Sequence, residues 1–452
     1  MKSLSLYVKD FFSKGHERSV LVKKNIFYSL LIKGVSVLVG FVLVPMTIHY
    51  VNKTQYGIWL TVSSIIGWFS FFDIGLGNGL RNKLATALAL GEKEKARSYV
   101  STTYALLCIV SLTAMVLFLL VNPFINWNRI LNISINDLSG LNDIVLWVFV
   151  FFCFQFVFQL ITVVFTASQQ SAKSSLILLA GQLLSMLVIY LLTLYTKGSL
   201  LYLVLVLAGV PPLVQMLFSI YYYKGQFNSI APSFKAVDFS HARELLGLGG
   251  YFFIIQIGVI VLYQTSNIII TQLFGPEQVT TYNIAYKLFS VVTILLTIAI
   301  NPFWSAFTDA YAKNDFNWIR LTLYKIRKFW VLITVGALFI LLVSPYVYQF
   351  WVGKYVTVPF SLSVVMFFYV IGNAWVAAHC FLLNGVGKIR LQLVMYVICI
   401  LVNIPVSVYF GKMLGLTGVV IGNVVMQLIM GVVFFLQTEK IIHQKAKGIW
   451  NK

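Results

Sequence analysis

The stretch WLTVSSIIGWFSFFDIGLGNGLRNK, Trp59–Lys83, admits two readings that lead to different folds. Gly75, Gly77 and Gly79, set between Asp73 and Arg81, invite a phosphate-cradling loop. A dinucleotide fingerprint, however, needs G-x-G-x-x-G between a strand and a helix. Here Leu80 stands where the third glycine belongs, and WLTVSSIIGWFSFF is part of an apolar run from residue 56 to 76. That run is long enough to cross a bilayer and is no strand of a βαβ unit. The chain contains no G-x-x-x-x-G-K-[ST] motif either. The nucleotide reading falls. In a membrane helix each glycine costs about 1 kcal/mol relative to alanine, so three together mark a kink, a close crossing or a hinge. Asp73 and Arg81 bracket it as a structural pair or as a gate.

Working outward, the rest of the chain agrees with a lipid environment. Of 452 residues 60% are hydrophobic and only 10% charged, where soluble domains carry about 25% charged residues. Twelve apolar runs are expected to span, at about 25–47, 56–76, 98–121, 142–166, 175–195, 199–222, 248–273, 280–304, 329–351, 359–382, 389–410 and 414–437. Backbone groups in hydrocarbon must bond internally, which leaves helices or closed barrels. The runs are continuous rather than alternating, and this selects helices. The fold class is therefore an all-α polytopic membrane protein. Residues 1–24 carry six lysines and arginines before any apolar run, so they read as a retained cytoplasmic segment and not a signal peptide.

With the N-terminus inside, 26 of the 33 Lys and Arg fall in inside segments, and five fall outside: Lys53, Arg129, Lys197, Lys354 and Lys412. This asymmetry places both termini in the cytoplasm. The net charge of +20 is thus mainly topological. With no basic soluble domain to carry it, nucleic acid is not an expected partner. The longest interior inside loop, 224–247, divides an N-lobe (25–223) from a C-lobe (248–437), with a tail at 438–452. Within the loop Ser240 is placed to cap a short helix. Six spans per half make the halves parallel repeats, an arrangement that transporters use for alternating access. Cys108, Cys153, Cys380 and Cys399 lie within spans, and the five histidines are scattered, so neither a disulfide framework nor a metal site is readable.

Polar residues in spans point away from lipid. Span one aligns Asn25, Ser29, Lys33, Ser36 and Gly40 on one face, and Pro45 lies late in it. Span four aligns Gln155, Gln159, Thr162 and Thr166. Span seven offers Gln256, Tyr263 and Asn267, and span eight offers Asn283, Lys287 and Asn301. Each Ser or Thr alone reads as helix–helix glue, worth about 0.6 kcal/mol. Stripes on four spans together read as a wetted cavity. Lys33, roughly 12 Å into its span at 1.5 Å per residue, and Lys287 give that cavity a positive sign. The nearest acids, Asp73 and Asp309, sit at the inside edge. Such a cavity attracts an anion. A cation-selective drug exporter would want the opposite sign.

One further signal is a resemblance. LVPMTIHYVNKTQYGIWLTVSSIIGWF followed by FDIGLGNGLRNKLATALALGEKEKAR resembles the polysaccharide-exporter branch of the multidrug/oligosaccharidyl-lipid/polysaccharide flippase superfamily. The likeness rests on Pro45, on Tyr56, Gly57 and Trp59, on the acidic-x-G-x-G end at Asp73, Gly75 and Gly77, and on LNGVGKIRLQ after span ten. It implies a V-shaped, two-lobed, twelve-helix transporter in the bacterial inner membrane. Its substrate would be an undecaprenyl-pyrophosphate-linked oligosaccharide flipped to the outer leaflet. Lys33, Lys287 and Arg81 would meet the pyrophosphate. Asn25, Ser29, Ser36, Gln155, Gln159, Gln256, Tyr263, Asn267, Asn283 and Asn301 would meet the sugars. Asp73, the three glycines, Pro45 and Asp309 would gate or couple. No cofactor is expected beyond a coupling ion, H+ or Na+; membrane lipid and other polysaccharide-assembly proteins are the expected partners. A multidrug exporter of the same superfamily is the alternative. A membrane polymerase or ligase fits less well, because the outside loops are short and show no acid–base pair. The topology is checked by labelling with a membrane-impermeant maleimide. A Lys197→Cys variant should react in intact cells and a Lys445→Cys variant only after permeabilisation, and the reverse pattern would invert the orientation.

Overall fold

The structure, a computed structural model, describes residues 17–68, 76–133, 140–242, 249–300, 303, 307, 310–311 and 313–451. Among the described residues the regular structure is entirely helical. The helices are α1 (Glu17–Val51), α2 (Lys53–Gly67), α3 (Leu76–Ala89), α4 (Lys93–Val121), α5 (Leu141–Phe158), α6 (Leu160–Ala167) and α7 (Ser171–Tyr195). They continue as α8 (Leu200–Lys224), α9 (Gly249–Phe274), α10 (Pro276–Ile300), α11 (Phe316–Trp351), α12 (Phe360–Gly385), α13 (Arg390–Leu414) and α14 (Leu416–Ile442). Ten described segments are long and apolar enough to cross a membrane. The other two expected spans fall on α2 and α9. Outward faces confirm what the solvent is: α4 exposes Leu112, Val116, Leu117 and Leu120, and α11 exposes Val331, Leu332, Val335 and Phe339. Rows of this kind would aggregate in water and are stable against acyl chains.

The chain divides into two compact units. The first holds α1 and α3–α8. Its core is built by Leu80, Leu84, Val100, Leu107, Leu160, Ile161, Val164 and Phe165, where α3 packs on α4 and α6, and α6 on α7. The second holds α2 and α9–α14. Its core joins Leu262, Leu383, Cys399, Met430 and Phe434 to a layer of Leu296, Ile300, Phe307, Ile319 and Leu382. Chain order alone would assign α2 to the first six spans. Its described contacts group it with α10 in the second unit.

The reason lies in the side chains of α2. Asn52, at φ 106°, caps the helix by accepting from the Gln55 backbone N–H at 2.9 Å. One turn on, Gly57 lets the α10 backbone come close: a Cβ there would lie 1.8 Å from the Pro276 carbonyl oxygen. Around that approach Lys53 pairs with Glu277 at 2.9 Å. The Thr280 hydroxyl donates to the Lys53 carbonyl at 2.7 Å, and the Thr61 and Thr271 hydroxyls meet at 2.6 Å. Deeper in, Asn283 donates to Asn267 at 2.8 Å, and Asn267 donates to the Ser64 hydroxyl at 2.6 Å. α2 is thus zipped along its length by polar groups that hydrocarbon would leave unpaired.

In the first unit, the segment following α8 is strapped to α4 rather than looping free. The Arg97 Nε–H donates to the Ala231 carbonyl at 3.0 Å, and the Ser233 N–H donates to Ser101 Oγ at 3.0 Å. Thr102 Oγ1 accepts from the Asp238 N–H at 3.0 Å and donates to the Asp238 carbonyl at 3.2 Å. Ser98 and His241 Nδ1 lie 3.1 Å apart. Asp238 caps the turn Phe239–His241, while the helix that Ser240 is expected to cap runs into 243–248, outside the described residues. The Asp238 side chain accepts from the Ser240 N–H at 2.9 Å, in the Asx-turn manner. Hydrogen bonds from the Ser240 hydroxyl and N–H hold the Asp238 carboxyl below the usual carboxylate range. The cap on this turn therefore persists above that range and weakens as pH falls through the lowered value, whereas the strap's bonds to Thr102 use the Asp238 backbone and do not titrate. The close approach of α2 predicts that Gly57→Val destabilises the protein by about 1–3 kcal/mol through overpacking. Gly67→Ala on the same helix, with nothing within 4 Å of its Cβ, should be neutral or gain up to about 1 kcal/mol. Thermal unfolding in detergent separates the two.

Candidate functional site

A cavity of about 240 Å³ opens in the first unit among Gly77, Arg81, Leu107, Gln159, Leu160, Thr162, Val163 and Thr166. Local sequence builds each wall. α3 runs unbroken through Gly77 and Gly79, both half-buried. The glycines therefore do not end this helix; Gly77 omits a side chain where the cavity needs room. One turn later Arg81 stands exposed, and among the described residues it has no ion pair. The opposite wall comes from a break in the expected fourth span. At Gln159 the hydrogen-bond ladder tightens: the Thr162 N–H bonds the Gln159 carbonyl at 2.9 Å, and the Thr162 hydroxyl donates to the same oxygen at 2.7 Å. This separates α5 from α6 and turns Gln159, Thr162 and Thr166 toward the cavity. The Gln159 amide itself reaches only the Phe156 carbonyl, at 3.4 Å. Leu107, Leu160 and Val163 supply an apolar floor. Chemically the described residues of the site offer one cation, an amide and two hydroxyls, with no carboxylate among them.

The structure brings together Gly77, Arg81 and Gln159 from the sequence-based set, and it disperses others. Lys33 is exposed on α1, with no hydrogen bond or ion pair among the described residues, while Ser36 on the same helix bonds Gln182 of α7. Gln155 is committed to Gln215 at 3.1 Å. In the second unit Asn267 and Asn283 spend their amides on each other and on Ser64, so these positions act as interhelical glue. Lys287 is half-buried in α10 and has an interaction of its own. Pro45 lies inside α1, half-buried. The backbones of Asn25, Ser29, Gln256 and Tyr263 are helical, and their side chains lie outside the described set. Asp73, Gly75, Asn301 and Asp309 lie outside the described residues altogether.

A charged cluster that the sequence reading did not assemble lies in the second unit. Arg327 Nη1 pairs with Glu439 Oε1 at 2.7 Å, and Nη2 lies 3.3 Å from His379 Nε2. The guanidinium stacks 4.7 Å from the Phe435 ring. His379 Nδ1 lies 2.8 Å from the Trp375 carbonyl, so Nδ1 carries the proton and Nε2 accepts from Arg327. The residues stand on α11, α12 and α14, more than fifty positions apart, and no local pattern announces them. His379 is a satisfied, buried residue here. Among the described residues no group of three His, Cys, Asp or Glu could hold a metal ion.

Comparison with known proteins places the chain. A family model described as "Polysaccharide biosynthesis protein" matches residues 22–306, more than half of its length. The chain belongs to this family. Among curated relatives it is 21% identical over 374 residues to a protein of Yersinia pseudotuberculosis named for O-antigen export, covering 79% of this chain and 81% of the other. It is also 21% identical over 392 residues to a Salmonella typhi protein named as an O-antigen transporter, covering 85% and 88%. Its fold matches the inward-facing structure of a multidrug-resistance MATE-family transporter of the MOP superfamily, with a TM-score of 0.67 at 16% identity over 90% of this chain and 98% of the other. The outward-facing structure of such a transporter matches at 0.65 and 14%, over 96% and 100%. The chain thus shares the fold of these transporters and is a multi-pass membrane protein. For the site residues, removing the Asn267 amide takes an interhelical partner from both Ser64 and Asn283 and leaves them their bonds to the Leu60 and Val279 carbonyls. Asn267→Ala should therefore cost about 1–3 kcal/mol of stability. Gln159→Ala removes no short bond and should unfold within about 1 kcal/mol of the parent. Equal losses in detergent melts would put both side chains in the packing class.

Proposed function

We propose that this protein translocates a polyprenyl-pyrophosphate-linked oligosaccharide from the cytoplasmic to the outer leaflet by alternating access. The observation that carries the reading is the sign of the cavity: among the described residues Arg81 is its one charged side chain, and no carboxylate lines it. A pyrophosphate carries the charge that such a site attracts. A guanidinium meets phosphate oxygens with two parallel N–H donors, better than an ammonium can. Gln159, Thr162 and Thr166 supply the donors and acceptors that a sugar hydroxyl requires. The family and the names of the relatives support a polysaccharide substrate. The likeness to both inward- and outward-facing transporters supports alternation between two states. Lys33, exposed on α1, is a second cation available to the pyrophosphate. Both termini lie in the cytoplasm in this reading, as the basic residues indicate, and transport needs no catalytic group.

The alternative, export of cationic drugs, draws on the multidrug transporters that share the fold. The cavity's sign opposes it. A charge-assisted hydrogen bond is worth about 1.5–3 kcal/mol, so Arg81→Ala should slow export by about ten- to a hundredfold. Arg81→Lys should retain part of the activity. Surface glycan in a strain whose own flippase gene is deleted is the readout, with membrane levels of each variant checked. Full surface glycan with Arg81→Ala, and with Lys33→Ala, would reject the anion-binding assignment. Lowered drug accumulation on expression of the parent protein would favour the alternative.

A further inference from the structure

The strap between Asn228 and His241 carries a second interface. α4 has 29 residues, about 44 Å at 1.5 Å per residue, against a hydrocarbon core of about 30 Å. Roughly nine residues must therefore stand in the polar layer. The sequence says which: Lys93–Ser101 reads KEKARSYVS, whereas the helix beyond Tyr104 is almost wholly apolar. Arg97, Ser98, Ser101 and Thr102, the four residues that tie down the strap, lie in that overhang or at its edge. The hydrogen bonds thus hold the strap at headgroup height.

At that height the strap sorts its apolar side chains into two sets. Phe227 and Ile230 are buried in the core of the first unit. Phe234 is 100% exposed and Phe239 55% exposed, with Lys235 exposed between them and Lys224 exposed at the end of α8. Tyr221, in the last turn of α8, is 70% exposed. Aromatic side chains beside lysines, at the end of a span, fit the boundary between acyl chains and phosphates. We propose that this strap is a membrane-surface element. Phe234 and Phe239 seat in the headgroup–acyl boundary of the leaflet on that side, and Lys224 and Lys235 meet the phosphates of anionic lipid. Each lysine near an anionic surface adds an attraction that salt screens. The connector that follows α8 is then held twice, by α4 and by the bilayer.

The test uses the full-length protein with Cys108→Ser, in vesicles of phosphatidylethanolamine and phosphatidylglycerol. Nitroxides are attached at Phe234→Cys and Phe239→Cys, and at Lys445→Cys and Leu117→Cys as aqueous and lipid references. Both strap positions are exposed, so the labels disturb no packing. Collision rates with oxygen, which partitions into lipid, and with a water-soluble nickel chelate report depth. We expect oxygen-to-nickel ratios at 234 and 239 several-fold above that at 445 and below that at 117. A ratio equal to that at 445 would overturn the proposal, as would protection from both reagents, which would mean that protein covers the strap. Lys224→Glu with Lys235→Glu should lower the ratio in phosphatidylglycerol vesicles and leave it unchanged in phosphatidylcholine. An identical response in the two lipids would refute the phosphate contact. None of these outcomes depends on what the protein transports.

Discussion

A hydroxyl or amide inside a bilayer has no water to bond, and the protein must supply its partner. Much of the described architecture follows from that constraint. It draws α2 onto α9 through Thr61 and Ser64 and onto α10 through Lys53, α5 onto α8 through Gln155 and Gln215, and α13 onto α14 through Asn403 and Asn423 at 2.7 Å. Leucine-rich faces give helices no reason to prefer one another over lipid. Polar pairs and close backbone approaches do. Gly57 shows both acting together, since a polar zipper forms only where the helices can come near.

The same constraint shapes the cavity by exception. Where Gln159 interrupts the helix, one carbonyl satisfies both the N–H and the hydroxyl of Thr162. The amide of Gln159 is left with only a long bond to the Phe156 carbonyl. Arg81 across the cavity is likewise uncommitted among the described residues. Groups that are not spent on the fold are available to a ligand, whereas Asn267 and Asn283, equally polar, are not. The distinction between glue and site is one of geometry rather than residue type.

Much of this was legible in the chain. The apolar runs located the spans, the missing third glycine removed the nucleotide reading, and Lys33 and Lys287, rather than Arg81, carried the expectation of an anion. The stripe on span four led to Gln159, Thr162 and Thr166. Gly57 was noted within a family-like Tyr-Gly-x-Trp pattern, and the structure supplies its reason: the Pro276 carbonyl occupies the space of a side chain. The stripe on span one misled at Ser36, because a helical face does not say whether it meets a cavity or another helix.

Composition and order along the chain, by themselves, determined the solvent, the helical class and the positions of the spans, because the cost of a polar or charged group in hydrocarbon acts residue by residue. Only the tertiary structure decided which polar groups were already paired. Arg327, Glu439 and His379 each look like an ordinary residue near a span end, and they become a cluster when α11, α12 and α14 pack. Likewise α2 follows α1 in sequence and finds its partners more than two hundred residues away. Partner choice is a property of distance in space, and hydropathy, summed locally, carries no record of it.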